Sequence, residues 1–126
     1  MSAVGLVASV LLGFVFLVSG GSKIAAGPAW PEQAAGLGAP SIVVPVLPWV
    51  EIVLGATLVM QVAPVAAAAT ALVVLAAFTA LIIRRLAQGR HPPCACFGAW
   101  SAKPLGAGHV ARNAVFMVLG VLALFA

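Results

Sequence analysis

Two cysteines stand one residue apart in the run Arg90-His91-Pro92-Pro93-Cys94-Ala95-Cys96-Phe97-Gly98, and the chain has no others. A thiolate is the reactive form of cysteine, and nearby positive charge favours it. Arg90, Lys103 and a protonated His91 would supply that charge. A C-x-C pair closes a small, strained disulfide ring, and strained, exposed disulfides have the more oxidising potentials. The pattern points to a redox-active Cys94–Cys96 pair that exchanges with a partner. A structural disulfide framework would need more cysteines, spread along the chain. Soft-metal capture or transport is a second reading, with His91, Cys94, Cys96 and His109 as thiolate and imidazole donors, although the spacing is not that of a zinc finger. A third reading gives the pair no chemistry and makes the chain a membrane scaffold for a partner.

A second group of residues is unusual for where it falls. Glu51 lies inside an apolar stretch, and an intramembrane carboxylate is by default a functional candidate. Arg112 lies inside another. At about 1.5 Å per residue the two sit roughly 15 and 10 Å below the same face, which suits an ion pair, either structural or proton-relaying. Asn113 beside Arg112 is suited to a hydrogen bond across helices. His109, one helical turn before Arg112, reads as interfacial. Lys23 is simplest as a helix-end lysine whose ammonium snorkels to the interface; joining Glu51 and Arg112 is its alternative. Trp30, Trp49 and Trp100 all fall toward one face, as an interfacial aromatic belt does.

The elements that must position these groups follow from composition. Of 126 residues, 64% are hydrophobic and only 6% charged, against about 45–50% and 25% in soluble domains. So few charges cannot coat a water-soluble surface, and the mean hydropathy of +1.24 agrees. The net charge of +4 comes from six basic residues, too few for a phosphate-tracking stripe, so no nucleic-acid partner is expected. A spanning helix takes about 20 apolar residues. Four stretches approach that length, at about 3–24, 41–61, 65–86 and 105–126. Pro45 and Pro48 either kink the second or delay its start to about Leu47. The segment 25–40 reads as a Gly/Pro-containing connection, and 87–104 as the cysteine loop. Abundant glycine and alanine suit close helix packing in lipid. No positive segment precedes the first apolar stretch, which therefore reads as a membrane helix and not a secretory signal. The expected fold is all-α, an integral membrane four-helix bundle in a single domain.

Orientation rests on Lys23, Arg84, Arg85, Arg90 and Lys103, all on the face with the two long loops. The positive-inside rule places that face in the cytoplasm and both termini outside, in a multi-pass protein of the cell membrane.

Three passages resemble those of the DoxX-like membrane proteins, in particular the methylamine utilisation protein MauE branch. They are Phe16-Leu17-Val18-Ser19-Gly20-Gly21-Ser22-Lys23-Ile24, then Pro48-Trp49-Val50-Glu51-Ile52-Val53-Leu54-Gly55, then Cys94-Ala95-Cys96-Phe97-Gly98 followed by Arg112-Asn113. The resemblance spans nearly the whole chain. It implies a four-helix membrane bundle with a part in thiol–disulfide traffic, by analogy with the maturation of a disulfide-rich exported dehydrogenase. Such work would want the cysteines outside, whereas the basic residues put them inside, where a thioredoxin-like donor could reduce them; both sides stay open. The expected function is a membrane thiol–disulfide redox protein. Cys94 and Cys96 would react, and Arg90, His91, Glu51, Arg112, Asn113, Lys23 and His109 would support them. Its partners would be lipid, a thioredoxin-like or other redox protein, and in the general run of such small chains a second copy. No cofactor beyond the disulfide is expected. A quinone or a metal stays open, and no haem or flavin signature is present.

Overall fold

The computed structural model describes residues 3–89 and 107–125. Among them the regular structure is entirely helical: α1 (Ala3–Ala26), α2 (Ala29–Leu37), α3 (Leu47–Met60), α4 (Pro64–Ala87) and α5 (Ala107–Phe125). Three of these, α1, α4 and α5, are long and apolar enough to cross a membrane. The protein is an all-α membrane protein. α1 packs against α3 and α5, and α4 closes the ring by packing against both of them.

The α1–α3 seam is the tightest because glycines face each other across it. A Cβ on Gly13 would stand 2.8 Å from the Gly55 carbonyl oxygen, and one on Gly55 would stand 2.6 Å from that of Gly13. Further along, a Cβ on Gly20 would meet the Pro48 carbonyl oxygen at 2.6 Å. In lipid, such backbone approach supplies the van der Waals contact that drives helix association. The buried side of α1 carries Gly5, Ser9, Leu12, Gly13, Phe16, Ser19, Gly20 and Lys23, the three- and four-residue repeat of one helix face.

One element settles a choice the sequence left open, and another departs from expectation. The helix read over 41–61 takes the later of the two starts its prolines allow and spans Leu47–Met60. Its 14 residues reach about 21 Å at 1.5 Å per residue, less than the roughly 30 Å hydrocarbon core. Prolines at 40, 45 and 48 explain this. Each removes an N–H and disfavours helix at the residue before it, so 41–46 is wound into turns, with Val43 N donating to Pro40 O at 3.0 Å and Val46 N to Val43 O at 3.1 Å. Pro48 falls in the first turn of α3, where its missing donor has no helical partner to lose. The departure is α2, inside the segment read as a connection. It tolerates Pro31 in its first turn for the same reason, and it ends at Gly38, whose φ of 82° lets its N–H reach back to the carbonyls of Ala34 and Ala35.

Candidate functional site

Near one end of the bundle, where α1 finishes and α3 begins, Lys23 and Glu51 form an ion pair of 3.0 Å with side chains 1% and 3% exposed. The Lys23 ammonium also donates to the Ser19 hydroxyl at 2.5 Å, and Ser19 is hydrogen-bonded to the carboxylate. Ser19 lies one turn before Lys23, so a single helix face presents both. Aromatic rings flank the ammonium: its nitrogen is 5.2 Å from the Trp30 centroid and 5.5 Å from that of Phe78. At these distances each ring's negative face attracts the cation.

Gly20 and Gly55 explain how the pair forms. A Cβ on Gly20 would come within 3.2 Å of the Glu51 Cβ, so the absence of a side chain there lets α3 approach until the carboxylate meets the ammonium. The pair is then covered from the helix ends. Trp30, Ala34, Leu47 and Ile82 form an apolar cluster, and the Trp30 indole N–H donates to the Val44 carbonyl at 2.8 Å. That bond ties α2 to the turns ahead of α3.

From the other side of the ring, Asn113 on α5 donates through Nδ2 to the Thr79 hydroxyl on α4 at 3.2 Å, and Thr79 donates to the Leu75 carbonyl at 2.7 Å. Arg112 donates to the Asn113 side-chain oxygen through Nε at 3.4 Å and through a terminal nitrogen at 3.3 Å. Its guanidinium carbon lies 5.9 Å from the Phe116 centroid. His109, in the first turn of α5, is half-buried. Between the two groups lies a cavity lined from all four long helices of the ring, including Ser19, Lys23, Glu51, Phe78, Asn113 and Phe116, with about 30 Å³ of space for the centres of water molecules.

These three stretches of chain, at the end of α1, the start of α3 and the start of α5, are those that resemble the signatures of one family. A family model described as methylamine utilisation protein MauE matches residues 1–126. This chain belongs to the MauE family. No curated protein and no solved structure matches it. In this MauE-family chain Ser19 and Lys23 of α1, Glu51 of α3 and Asn113 of α5 meet around one cavity.

Three expectations change. Glu51 pairs with Lys23 and not with Arg112, because Lys23 and Glu51 project into the same glycine-lined seam while Arg112 bonds its neighbour Asn113. Lys23 follows its alternative as far as Glu51 and does not snorkel; it lies on the packed face of α1, where Ser19, Glu51 and two rings satisfy its charge. Trp30 is no interfacial belt residue either, being 4% exposed with its N–H used internally, whereas Trp49 is 61% exposed as a belt residue would be. Sequence reasoning also passed over Ser19, Phe78 and Thr79 as members of this cluster. For Ser19 the available signal was a hydroxyl on a helix face already marked by Gly20 and Lys23; nothing local marks Phe78 or Thr79. Cys94, Cys96, Arg90, His91, Trp100 and Lys103 lie outside the described residues, as does the His91, Cys94, Cys96 metal set. Among the described residues no three His, Cys, Asp or Glu side chains gather.

Proposed function

We propose that this membrane protein exchanges electrons or disulfides with a partner protein through Cys94 and Cys96. The observation that carries the reading is the placement of the chain's only two cysteines, one residue apart, in the segment joining α4 to α5. The helix ends that hold this segment, at Ala87 and Ala107, belong to the end of the bundle where the buried charges lie. Membership of the MauE family supports it.

The exchange runs in two steps. One cysteine thiolate attacks a partner disulfide; the partner S–S bond breaks, a mixed disulfide forms, and the released partner thiolate takes a proton. The second cysteine then attacks the mixed disulfide, closing Cys94–Cys96 and freeing the second partner thiol. Two electrons and two protons pass from the pair to the partner, and the reverse sequence runs when the pair starts oxidised. Arg90 and His91, close in sequence, favour the thiolate. On the positive-inside reading the pair faces the cytoplasm and a thioredoxin-like protein is the donor; Arg84 and Arg85 in the last turn of α4 support that side.

Labelling of intact cells with a membrane-impermeant thiol reagent, before and after reduction, tests the proposal. Labelling that rises after reduction puts an oxidised pair outside. Labelling that appears only once the cells are permeabilised and reduced puts it inside. A Cys94→Ala, Cys96→Ala variant should lose complementation while accumulating normally. Full complementation by that variant would sink the redox reading.

A further inference from the structure

We propose that the cavity between Glu51 and Asn113 is a water site, and that its water exchanges protons with Glu51 inside the membrane. The case rests on hydrogen-bonding capacity. An ionised carboxylate offers about four lone-pair sites and a side-chain amide two N–H donors. Among the described residues Glu51 meets Lys23 and Ser19, and the Asn113 amide nitrogen meets Thr79. Both residues are at most 3% exposed, and both line the same cavity. Glu51, with acceptor capacity beyond these bonds, and Asn113, with a second N–H, thus line the same small space. A water needs roughly 10–15 Å³ of such space and two to four polar partners; the cavity offers about 30 Å³. One that accepts from Asn113 and donates to Glu51 satisfies both.

A purely structural ion pair needs no such space. Buried pairs replaced by well-packed apolar residues often leave a protein as stable or more so, so stability alone does not account for keeping these charges beside a cavity. In the assigned step a proton arriving on the water moves to the carboxylate, the Glu51 O–H bond forms as the water O–H bond breaks, and no electrons move. Lys23 on α1 takes no part in the transfer. The other groups around Glu51 are Phe78 from α4 and Asn113 from α5, with Arg112 bonded to Asn113 and His109 one turn earlier; Trp30 of α2 flanks Lys23. The site stands whether or not Cys94 and Cys96 react.

Glu32 and Glu51 are the chain's only acidic side chains, which makes the test direct. The full chain carrying Glu32→Gln, in vesicles of an ether-linked phosphatidylcholine that lacks ester carbonyls, has Glu51 as its sole side-chain carboxyl. Infrared difference spectra on acidification should show one protonated side-chain carboxyl band that appears reversibly while the amide bands stay helical. The band should shift in D₂O without unfolding. Adding Asn113→Leu, which replaces the spare donor with bulk, should slow that shift, and Asn113→Gln should restore it. A folded protein in which Glu51 never protonates, or protonates without exchanging with D₂O, would overturn the proposal. So would exchange as fast in the Asn113→Leu variant as in its parent.

Discussion

At one end of the bundle the helices meet through charges, a tryptophan and a cavity; at the other they meet through almost nothing but carbon. Lys23, Glu51, Thr79 and Asn113 are all buried at the first end. At the second, Leu12, Leu58, Ala68 and Ala71 are fully enclosed, and Gly120 fits so closely against Leu72 that a Cβ would stand 2.7 Å from it. Among the described residues the polar cluster there is Ser9 of α1 with Gln61: Gln61 ends α3 in the left-handed region at φ 58°, and its side chain donates to the Leu58 carbonyl and to Ser9. Lipid offers no hydrophobic drive between helices, so close packing is the economical way to hold them. The second end does this. The first keeps expensive groups that a purely structural bundle could do without, and it is the end from which the cysteine segment leaves.

The sharpest way to break this contrast is to remove one charge. Glu51→Ala leaves the Lys23 ammonium buried without its partner, a loss expected to cost about 3–5 kcal/mol. It should appear as a large drop in thermal stability of the purified protein in detergent. Replacing both charges, as Lys23→Met with Glu51→Leu, should recover most of that loss or exceed it while still abolishing function. A double variant as unstable as the single one would mean that the pair itself holds the helices. Next in size is the glycine seam. Gly55→Ala puts a methyl 2.6 Å from the Gly13 carbonyl oxygen, and overpacking of this kind costs about 1–3 kcal/mol. Because the same seam brings Glu51 to Lys23, this variant should also lower activity. Gly21→Ala, with nothing within 4 Å of the new methyl, should change neither.

How far the sequence could be read differs between the same two ends. Membrane insertion, the all-α class and the extents of α1, α4 and α5 follow from long apolar runs, because lipid demands that composition wherever a helix crosses. α2 was hidden because Pro28, Pro31 and Gly38 look like breakers, although a proline in a first turn and a glycine just past a last turn are also a helix's own start and stop signals. Depth along the helix axis points Glu51 to Arg112, whereas rotation around the axis turns it to Lys23. Lys23 lies at the spacing of Ser9, Gly13, Phe16 and Gly20 on α1, so its inward direction was encoded in a small-residue repeat and not in hydropathy. The Asn113–Thr79 bond joins residues 34 apart in sequence, and no local pattern in α4 singles out Thr79.

A smaller effect probes the cover over the charged end. Trp30→Phe keeps a ring beside the Lys23 ammonium but removes the N–H that bonds Val44 O. The loss of one such bond costs about 0.5–1.5 kcal/mol. The consequence should be local, with faster amide hydrogen exchange in 41–46 and at the start of α3 and no change at the far end of α1. Exchange that quickens along the whole of α1 would mean that the two ends are one cooperative unit.

The smallest expected effect tests the far end. Ser9→Ala removes the hydroxyl that donates to Leu58 O at 3.2 Å and accepts from Gln61 at 2.9 Å. Hydrogen bonds between membrane helices average only about 0.6 kcal/mol, and the Gln61 amide keeps its bond to the Leu58 carbonyl. The variant should therefore melt within about 2–4 °C of the parent, the shift a loss near 0.6 kcal/mol gives a domain of this size, and it should retain full complementation. Ser19→Ala makes the same chemical change on the same face of α1, ten residues on, where the hydroxyl bridges Lys23 and Glu51. It should depress complementation at similar stability. If the two serines proved equally dispensable, the polar end would be held to no stricter a standard than the apolar one, and the charges there would be structural after all.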